Sequence, residues 1–230
     1  MTAYTKRLQK VTAVLCTTAL LAGCAAGASD NTEPAATTAP VKAITIEPTA
    51  VYQTMNGFGA SACWWSQEVG NWENAKDILS LLYDENSGIG LNIYRYNLGA
   101  GSKDDATITD PDRRAEAFID KDGSYHWERD AAAQNALTLA KSMNKDLRVT
   151  LFSNSAPVFY TANGKAYCDY LPDDEKYVTN LEPERYADFA KYSIACAKHF
   201  TEAGYRVTGL SPINEPEWSW RGYEDGTAKQ

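Results

Sequence analysis

Histidine is scarce in this chain: only His126 and His199 occur among its 230 residues. A Ser-His-Asp triad uses a histidine as its base, and histidine-rich zinc sites need several of them. His199 stands inside a helical pattern, between Lys198 and Phe200. The sequence therefore argues against histidine-dependent hydrolysis and against a multi-histidine zinc centre.

Cysteine is also rare, with five residues in the chain. Cys16 and Cys24 belong to the first 24 residues, and Cys63, Cys168 and Cys196 form no close pair and no metal-ligand spacing. Because three is an odd number, at most one disulfide forms among the last three. We therefore expect no metal, no cofactor and no disulfide framework.

Positive charge is in deficit, with a formal net charge of -8 and a sequence pI near 4.9. Lys6, Arg7 and Lys10 contribute three of the positive charges and lie at the extreme N-terminus. A nucleic-acid-binding surface is basic, so we expect no nucleic-acid partner. An acidic surface suits an extracellular protein that acts on neutral substrates.

The N-terminus has the pattern of an export signal. Its basic residues precede an apolar run at 11–22, which is too short to span a membrane comfortably, and Leu21-Ala22-Gly23-Cys24 looks like a bacterial lipobox. We predict a lipoprotein signal peptide at 1–23, lipidation of Cys24, a disordered Ala/Thr/Pro tether at 24–42 and a folded part at 43–230. The protein would be exported and lipid-anchored in a bacterial envelope; an ordinary secretory leader is the alternative.

Strand and helix patterns alternate along the folded part. Inner strands are predicted at 57–61, 91–97, 147–152 and 207–213, helices at 74–83, at 131–143 and from Pro183 onwards, and short edge strands at 44–46 and 51–52. This alternation is typical of parallel pairing. It predicts the first four or so units of a (β/α)8 barrel, while a doubly wound sheet is disfavoured because no strand leads into a Gly-x-Gly-x-x-Gly turn.

Two helices show a predicted buried face. In the first, Ala136, Leu137 and Ala140 share one side. The apolar stripe of the second consists of Tyr186, Phe189, Ala190, Ile194, Ala197 and Phe200. Each stripe would face the sheet.

A carboxylate follows the last predicted strand. Asn214 and Glu215 come directly after it, and Pro216 disfavours the helical region for Glu215, which predicts an extended backbone there. The chain also has six Trp and fourteen Tyr. Carboxylic acids for proton transfer and flat rings for sugar faces are typical of carbohydrate sites, although most such rings pack in cores.

Four motifs in order resemble glycoside hydrolase family 30 of clan A, from about residue 43 to the end. They are Gly57-Phe58-Gly59-Ala60-Ser61, Tyr94-Arg95-Tyr96-Asn97-Leu98-Gly99-Ala100-Gly101-Ser102, Ser153-Asn154-Ser155-Ala156-Pro157 and Ser211 to Trp220. The segment Asn214-Glu215-Pro216-Glu217-Trp218-Ser219-Trp220 is most similar to the endo-β-1,6-galactanase-like branch. The resemblance implies a retaining hydrolase that cleaves a β-linked polysaccharide or oligosaccharide.

The resemblance also implies roles for individual residues. Glu215 would be the acid/base, Asn214 would bind the sugar hydroxyl beside the scissile bond, and Arg95 would lie near the nucleophile and keep it ionised. The further substrate-binding candidates are Ser61, Trp64, Asn154, Trp218 and Trp220. One ring of the pair Trp64 and Trp65 is expected in the core.

The family's nucleophile comes from the seventh strand, which we expect downstream of Gln230. On this reading the chain is an N-terminal fragment that is inactive by itself, and its first strands belong to an accessory β-sandwich. Other activities of the family remain open, namely xylanase, β-1,6-glucanase or glucosylceramidase-like hydrolysis. A lipoprotein that binds glycans without cleaving them is an alternative of a different class.

The lipobox is testable by metabolic labelling with a fatty-acid probe in a bacterial host. We expect the wild-type chain to incorporate the probe and a Cys24→Ala variant to lose it, because the thiol of Cys24 is the acceptor. A Cys16→Ala variant is the matched control and should label normally. Equal labelling of the Cys24→Ala variant would rule out the lipobox.

Overall fold

The computed structural model describes residues 44–168 and 180–215, and the chain divides into two units, 1–52 and 53–230. The described part of the first unit contains a turn, in which the Thr49 hydroxyl donates to the Glu47 carboxylate over 2.6 Å, and no strand. The edge strands predicted at 44–46 and 51–52 are therefore wrong. Ile44, Ile46, Val51 and Tyr52 stay exposed, and within residues 44–168 and 180–215 no strand pairs with this segment.

The second unit alternates short strands with helices. The strands are β1 (Gly59–Ser61), β2 (Ile93–Asn97), β3 (Arg148–Phe152) and β4 (Arg206–Ser211). The helices are α1 (Ser66–Val69), α2 (Ala75–Tyr83), α3 (Ala131–Met143) and α4 (Tyr186–Glu202), with single 3-10 turns at Pro111–Arg113, Val158–Tyr160 and Pro183–Arg185. Within the described ranges no helix combines the length and apolar character needed to cross a membrane.

The four strands form one parallel sheet in the order β1-β2-β3-β4. Each strand therefore lies beside its predecessor in the chain, as in the predicted (β/α)8 barrel. A doubly wound sheet reverses its strand order at a switch point, and these four strands do not. Parallel pairing also brings the carboxyl ends of all four strands to the same edge.

Gly59 allows β1 to approach β2 closely. It pairs with Ile93, and a Cβ atom at position 59 would lie only 2.4 Å from the Ile93 carbonyl oxygen. Any larger residue would push the two backbones apart. The requirement for glycine is thus set by backbone contact, which holds Ser61 at the end of β1 in register with Arg95.

Strand β2 presents different chemistry on its two faces. Tyr94 and Tyr96 are buried against the helices, with ring centroids 5.6 Å from Tyr83 of α2 and 4.9 Å from Phe200 of α4. Successive side chains of a strand point to opposite faces, so Arg95 lies on the other face of the sheet. Burial of Tyr94 and Tyr96 under the helices thereby places the Arg95 guanidinium on the opposite face of the sheet, which we call the inner face.

The helices cover the sheet on its aromatic side. Helix α3 buries Ala136, Leu137 and Ala140, as predicted. Helix α4 differs from the prediction, because Tyr186 and Ile194 are 50% and 63% exposed. Its buried residues are Phe189, Tyr192, Ser193, Cys196 and Phe200. The predicted stripe included Ala190, which is exposed, and omitted Tyr192, Ser193 and Cys196, which are buried. Ser193 is tolerated on the buried face because its hydroxyl donates to the Phe189 carbonyl over 2.9 Å.

A carboxyl group is buried at the start of α3. Asp130 is 6% exposed and accepts a hydrogen bond of 2.6 Å from the Tyr96 hydroxyl, while its backbone N–H donates to Glu116. Burial raises the pKa of Asp130 to about 7; Glu116 adds to the rise, whereas the Tyr96 hydroxyl and Lys103 oppose it. The folded chain therefore holds a proton on Asp130 that the unfolded chain releases at lower pH.

This buried acid should make stability depend on pH. Since Asp130 binds its proton more tightly in the folded chain, the free energy of unfolding should fall as pH rises from about 4 to 7, by roughly 2–4 kcal/mol. An Asp130→Asn variant cannot ionise, so it should lose this slope and be more stable than wild type at pH 8. Urea unfolding of the full chain at pH 4.5 and pH 8 measures both values.

The exposed Asp146 offers a matched control for that experiment. An Asp146→Asn variant removes a surface carboxylate and leaves Asp130 buried, so it should keep the wild-type pH slope. A wild-type slope in Asp130→Asn would contradict the assignment of a raised pKa to the buried acid.

Candidate active site

The carboxyl edge of the sheet collects the polar residues that the sequence singled out. Ser61 ends β1, Arg95 lies in β2, Asn154 follows β3, and Asn214 and Glu215 follow β4. In barrels of parallel strands, catalytic groups occupy this edge. Hydrogen bonds join Arg95 to Ser61 and Asn214, and Asn154 to Asn97 and Cys63.

Arg95 is the centre of the first cluster. Its guanidinium carbon lies 3.3 Å from the centroid of the Phe152 ring, which is fully buried at the end of β3. Nη2 donates to Asn214 Oδ1 over 2.7 Å, and Nη1 donates to Ser61 Oγ over 3.4 Å. One side chain thus contacts residues from the ends of the other three strands.

The contact with Arg95 orients the Asn214 amide. Because Oδ1 accepts from Arg95, Nδ2 is the atom of this amide left to donate to a ligand. A sugar hydroxyl can accept such a bond. The expected role of Asn214 in substrate binding agrees with this geometry and stays a prediction.

Glu215 is exposed beside this cluster, and its backbone departs from expectation. Its φ of 46° is in the left-handed region, so the predicted extended conformation is wrong. The prediction considered only how Pro216 disfavours the right-handed helical region. Left-handed backbone at a residue with a side chain is uncommon and is found at functional sites.

Charge links Glu215 to Arg95. Burial lowers the pKa of the Arg95 guanidinium from its ordinary value, and attraction to Cys63 and Glu215 works in the opposite direction. Guanidinium groups remain protonated even so. A permanent cation therefore lies on the inner face, close enough to the Glu215 carboxylate to interact with it.

A second cluster links the ends of β1, β2 and β3. The Asn154 amide nitrogen donates to Asn97 Oδ1 over 3.0 Å and to Cys63 Sγ over 3.4 Å. Both amide hydrogens are thereby engaged, so Asn154 can offer a ligand only its Oδ1 acceptor. At this edge of the sheet Asn154 can therefore accept a hydrogen bond through Oδ1, whereas Asn214 can donate one through Nδ2. A hydroxyl group can bind to either, because it both donates and accepts.

The two neighbouring tryptophans differ in their surroundings. Trp65 packs against the core, 6.5 Å from the Tyr94 ring, and its indole N–H donates to the Ser61 carbonyl over 3.0 Å. Trp64 is half-buried and follows a cis peptide bond from Cys63. Trp65 is thus the core member of the pair, and binding by Trp64 stays a prediction.

Three predicted positions cannot be compared with the structure. Trp218, Trp220 and the lipidation candidate Cys24 lie outside the described residues. Among residues 44–168 and 180–215, no three His, Cys, Asp or Glu side chains are grouped so that they could hold a metal ion.

Sequence reasoning missed three members of these clusters: Cys63, Asn97 and Phe152. Asn97 and Phe152 are the last residues of β2 and β3, and they are paired with each other in the sheet. Their position at strand ends was therefore the available signal. Phe152 was missed because an apolar residue in an apolar strand predicts core packing.

Comparison with known proteins identifies the fold and the family. A family model described as O-Glycosyl hydrolase family 30 matches residues 41–230. The chain belongs to this family. The resemblance seen in its four motifs is thereby confirmed.

Two proteins of known name are similar to this chain in sequence. The chain is 29% identical over 203 residues to an endo-beta-1,6-galactanase of Hypocrea rufa, a match that covers 77% of this chain and 40% of that protein. It is 27% identical to an exo-beta-1,6-galactobiohydrolase of Bifidobacterium longum subsp. longum, over 78% of this chain and 16% of that protein. The chain therefore spans less than half the length of these relatives.

Solved structures support the barrel. A conserved exported protein from Bacteroides fragilis superposes with a TM-score of 0.69 at 29% identity, covering 76% of this chain and 37% of that one. The catalytic domain of a family 30 xylanase C from Talaromyces cellulolyticus matches at a TM-score of 0.51 and 23% identity, over 76% and 40% of the two chains. The four parallel strands and their helices thus form part of a (β/α)8 barrel, as predicted.

Proposed function

We propose that this family 30 chain supplies the acid/base half of a retaining glycoside hydrolase, with Glu215 as the acid/base. The observation that carries the proposal is the position of Glu215, which follows the Asn214 side chain that Arg95 holds at the carboxyl edge of the sheet. Glu215 is exposed at this edge.

Hydrolysis with retention takes two displacement steps. In the first, Glu215 donates its proton to the oxygen of the leaving sugar while a second carboxylate attacks the anomeric carbon. In the second, Glu215 removes a proton from water as that water releases the glycosyl group. The second carboxylate must lie about 5 Å from Glu215, and we infer that it comes from residues outside the described ranges.

The clusters would bind the sugar on which these steps act. Asn214 donates from Nδ2 to the hydroxyl next to the scissile bond, and Asn154 accepts from another hydroxyl. Arg95 lies where a cation can keep the attacking carboxylate ionised. Trp64, Trp218 and Trp220 are proposed to stack on sugar faces on either side of the cleaved bond.

The substrate we propose is a β-1,6-linked galactan, cleaved internally. Both named relatives act on β-1,6 linkages according to their names, and the segment 214–220 is most similar to the galactanase-like branch. We further propose export and anchoring through lipidated Cys24, which would hold the enzyme at the cell envelope where polysaccharide is encountered.

Replacing Glu215 by Gln tests the acid/base role in the full-length protein. We expect turnover of β-1,6-galactan to fall by roughly 100- to 10,000-fold, because the leaving oxygen needs a proton. An aryl galactoside with a good leaving group needs no such help in the first step. On that substrate, azide should restore turnover of the variant by attacking the glycosyl-enzyme in place of activated water.

Glu202 at the end of α4 is a surface carboxylate and gives the control variant Glu202→Gln. It should retain wild-type turnover on both substrates. Near-wild-type hydrolysis of galactan by Glu215→Gln would reject the role of Glu215. A wild-type protein that binds galactan without cleaving it would instead favour a glycan-binding lipoprotein.

Arg95 can be tested in the same assay. An Arg95→Met variant keeps a long apolar stem against Phe152 and loses both donors, so Asn214 is no longer oriented. We expect kcat/KM to fall by roughly 10- to 100-fold, the usual effect of losing a charged hydrogen bond. Circular dichroism should remain as in wild type; unchanged kinetics would show that Arg95 has only a structural role.

A further inference from the structure

The ring of Phe152 lies on the inner face of the sheet, apart from the main core. Val149 and Leu151 of β3 join the cluster of buried side chains beneath the helices, whereas Phe152 is fully buried and does not belong to that cluster. Its ring contacts the face of the Arg95 guanidinium instead, 3.3 Å from ring centroid to guanidinium carbon.

We propose that Phe152 is a positioning residue, a rigid platform that fixes the plane of the Arg95 guanidinium and through it the orientation of the Asn214 amide. This role rests on the proposed hydrolase function. The proposal concerns how the site is held ready before the substrate binds. Phe152, an apolar residue of β3, would orient Arg95 of β2 and, through it, Asn214 after β4.

The backbone of Phe152 is held from both sides. Its carbonyl accepts from Leu98 N–H over 2.7 Å, Ser153 N–H donates to the Ser211 carbonyl over 3.1 Å, and Phe152 pairs with Asn97 and Ser211 in the sheet. A side chain on such a backbone has little freedom when it is also buried. The ring is therefore a fixed surface against which the more flexible arginine can settle.

The hydrogen bonds of Arg95 do not by themselves define its plane. The bond to Asn214 is short, at 2.7 Å, but the bond to Ser61 is long, at 3.4 Å. With one strong anchor the guanidinium could still turn about that bond. Stacking on Phe152 removes this freedom, and a guanidinium is suited to it because it is planar and weakly hydrated.

Loss of the ring should therefore affect catalysis more than binding. With Phe152→Leu, Arg95 keeps its charge and its donors but samples several planes, so Asn214 presents Nδ2 correctly for only part of the time. We expect kcat/KM on β-1,6-galactan to fall roughly tenfold, mostly in kcat. Phe152→Met, which is unbranched and also lacks a ring, should show the same loss and provides a second variant if Phe152→Leu folds poorly.

Phe118→Leu is the matched control. Phe118 is 1% exposed and packs on Trp127 and Phe200, with ring centroids at 5.7 and 5.9 Å, in the layer on the other side of the sheet. The same substitution there removes a buried ring of the same size. It should lower thermal stability and leave kcat unchanged.

A spectroscopic measurement tests the platform without relying on activity. In the full-length protein labelled with 15N-arginine, the Arg95 guanidinium protons should resonate upfield because they lie over the ring. Arg95→Lys identifies the signals by removing them. We expect the upfield shift to disappear in Phe152→Leu and in Phe152→Met and to persist in Phe118→Leu.

The outcomes separate the two proposals. Unchanged Arg95 signals in both Phe152 variants, or an equal loss of kcat in Phe118→Leu, would overturn the positioning role. If the wild-type protein cleaves no galactan yet its Arg95 shift depends on Phe152, the proposed function fails, whereas the platform itself is supported.

Discussion

The stacking and hydrogen bonding of Arg95 is the interaction on which the candidate site depends. A cation inside a sheet is unfavourable unless it is paired, and this one is satisfied by Asn214, Ser61 and the Phe152 face. Those contacts come from the other three strands or the segments that follow them. Arg95 therefore links the ends of the strands, because it needs partners for its charge. Its bond to Asn214 Oδ1 also orients the Asn214 amide so that Nδ2 can donate to a ligand.

The core explains why the cation lies on the inner face. Tyr94 and Tyr96 flank Arg95 in β2 and pack against Tyr83 and Phe200 on the helical side. Because a strand alternates its side chains, burying those two rings sends Arg95 the other way. The five residues of β2 thus supply both the rings that pack under the helices and the cation of the candidate site.

The barrel could be predicted from the sequence because strands and helices differ in their hydrophobic period, and α3 has the predicted bounds, 131–143. Asn214, Arg95 and Ser61 could be named because they belong to motifs that resemble family 30: Ser61 and Asn214 lie at or just after strand ends, and Arg95 is a cation in the middle of an otherwise apolar and aromatic strand. Phe152 could not, since its role depends on a guanidinium 57 positions earlier in the chain. The buried face of α4 was missed for a similar reason, because the packing of Phe189, Tyr192, Cys196 and Phe200 in the core outweighs the local pattern. The left-handed backbone of Glu215 was missed because Pro216 gives information only about the right-handed helical region.

The most direct test of the account is the anomeric configuration of the first product released from a β-1,6-galacto-oligosaccharide by the full-length protein. Proton NMR in the first minutes, before mutarotation, distinguishes the two anomers. A retaining hydrolase with Glu215 as acid/base predicts that the β-anomer appears first. Initial release of the α-anomer would contradict the double-displacement mechanism, and the absence of any product would contradict the assignment of hydrolase activity.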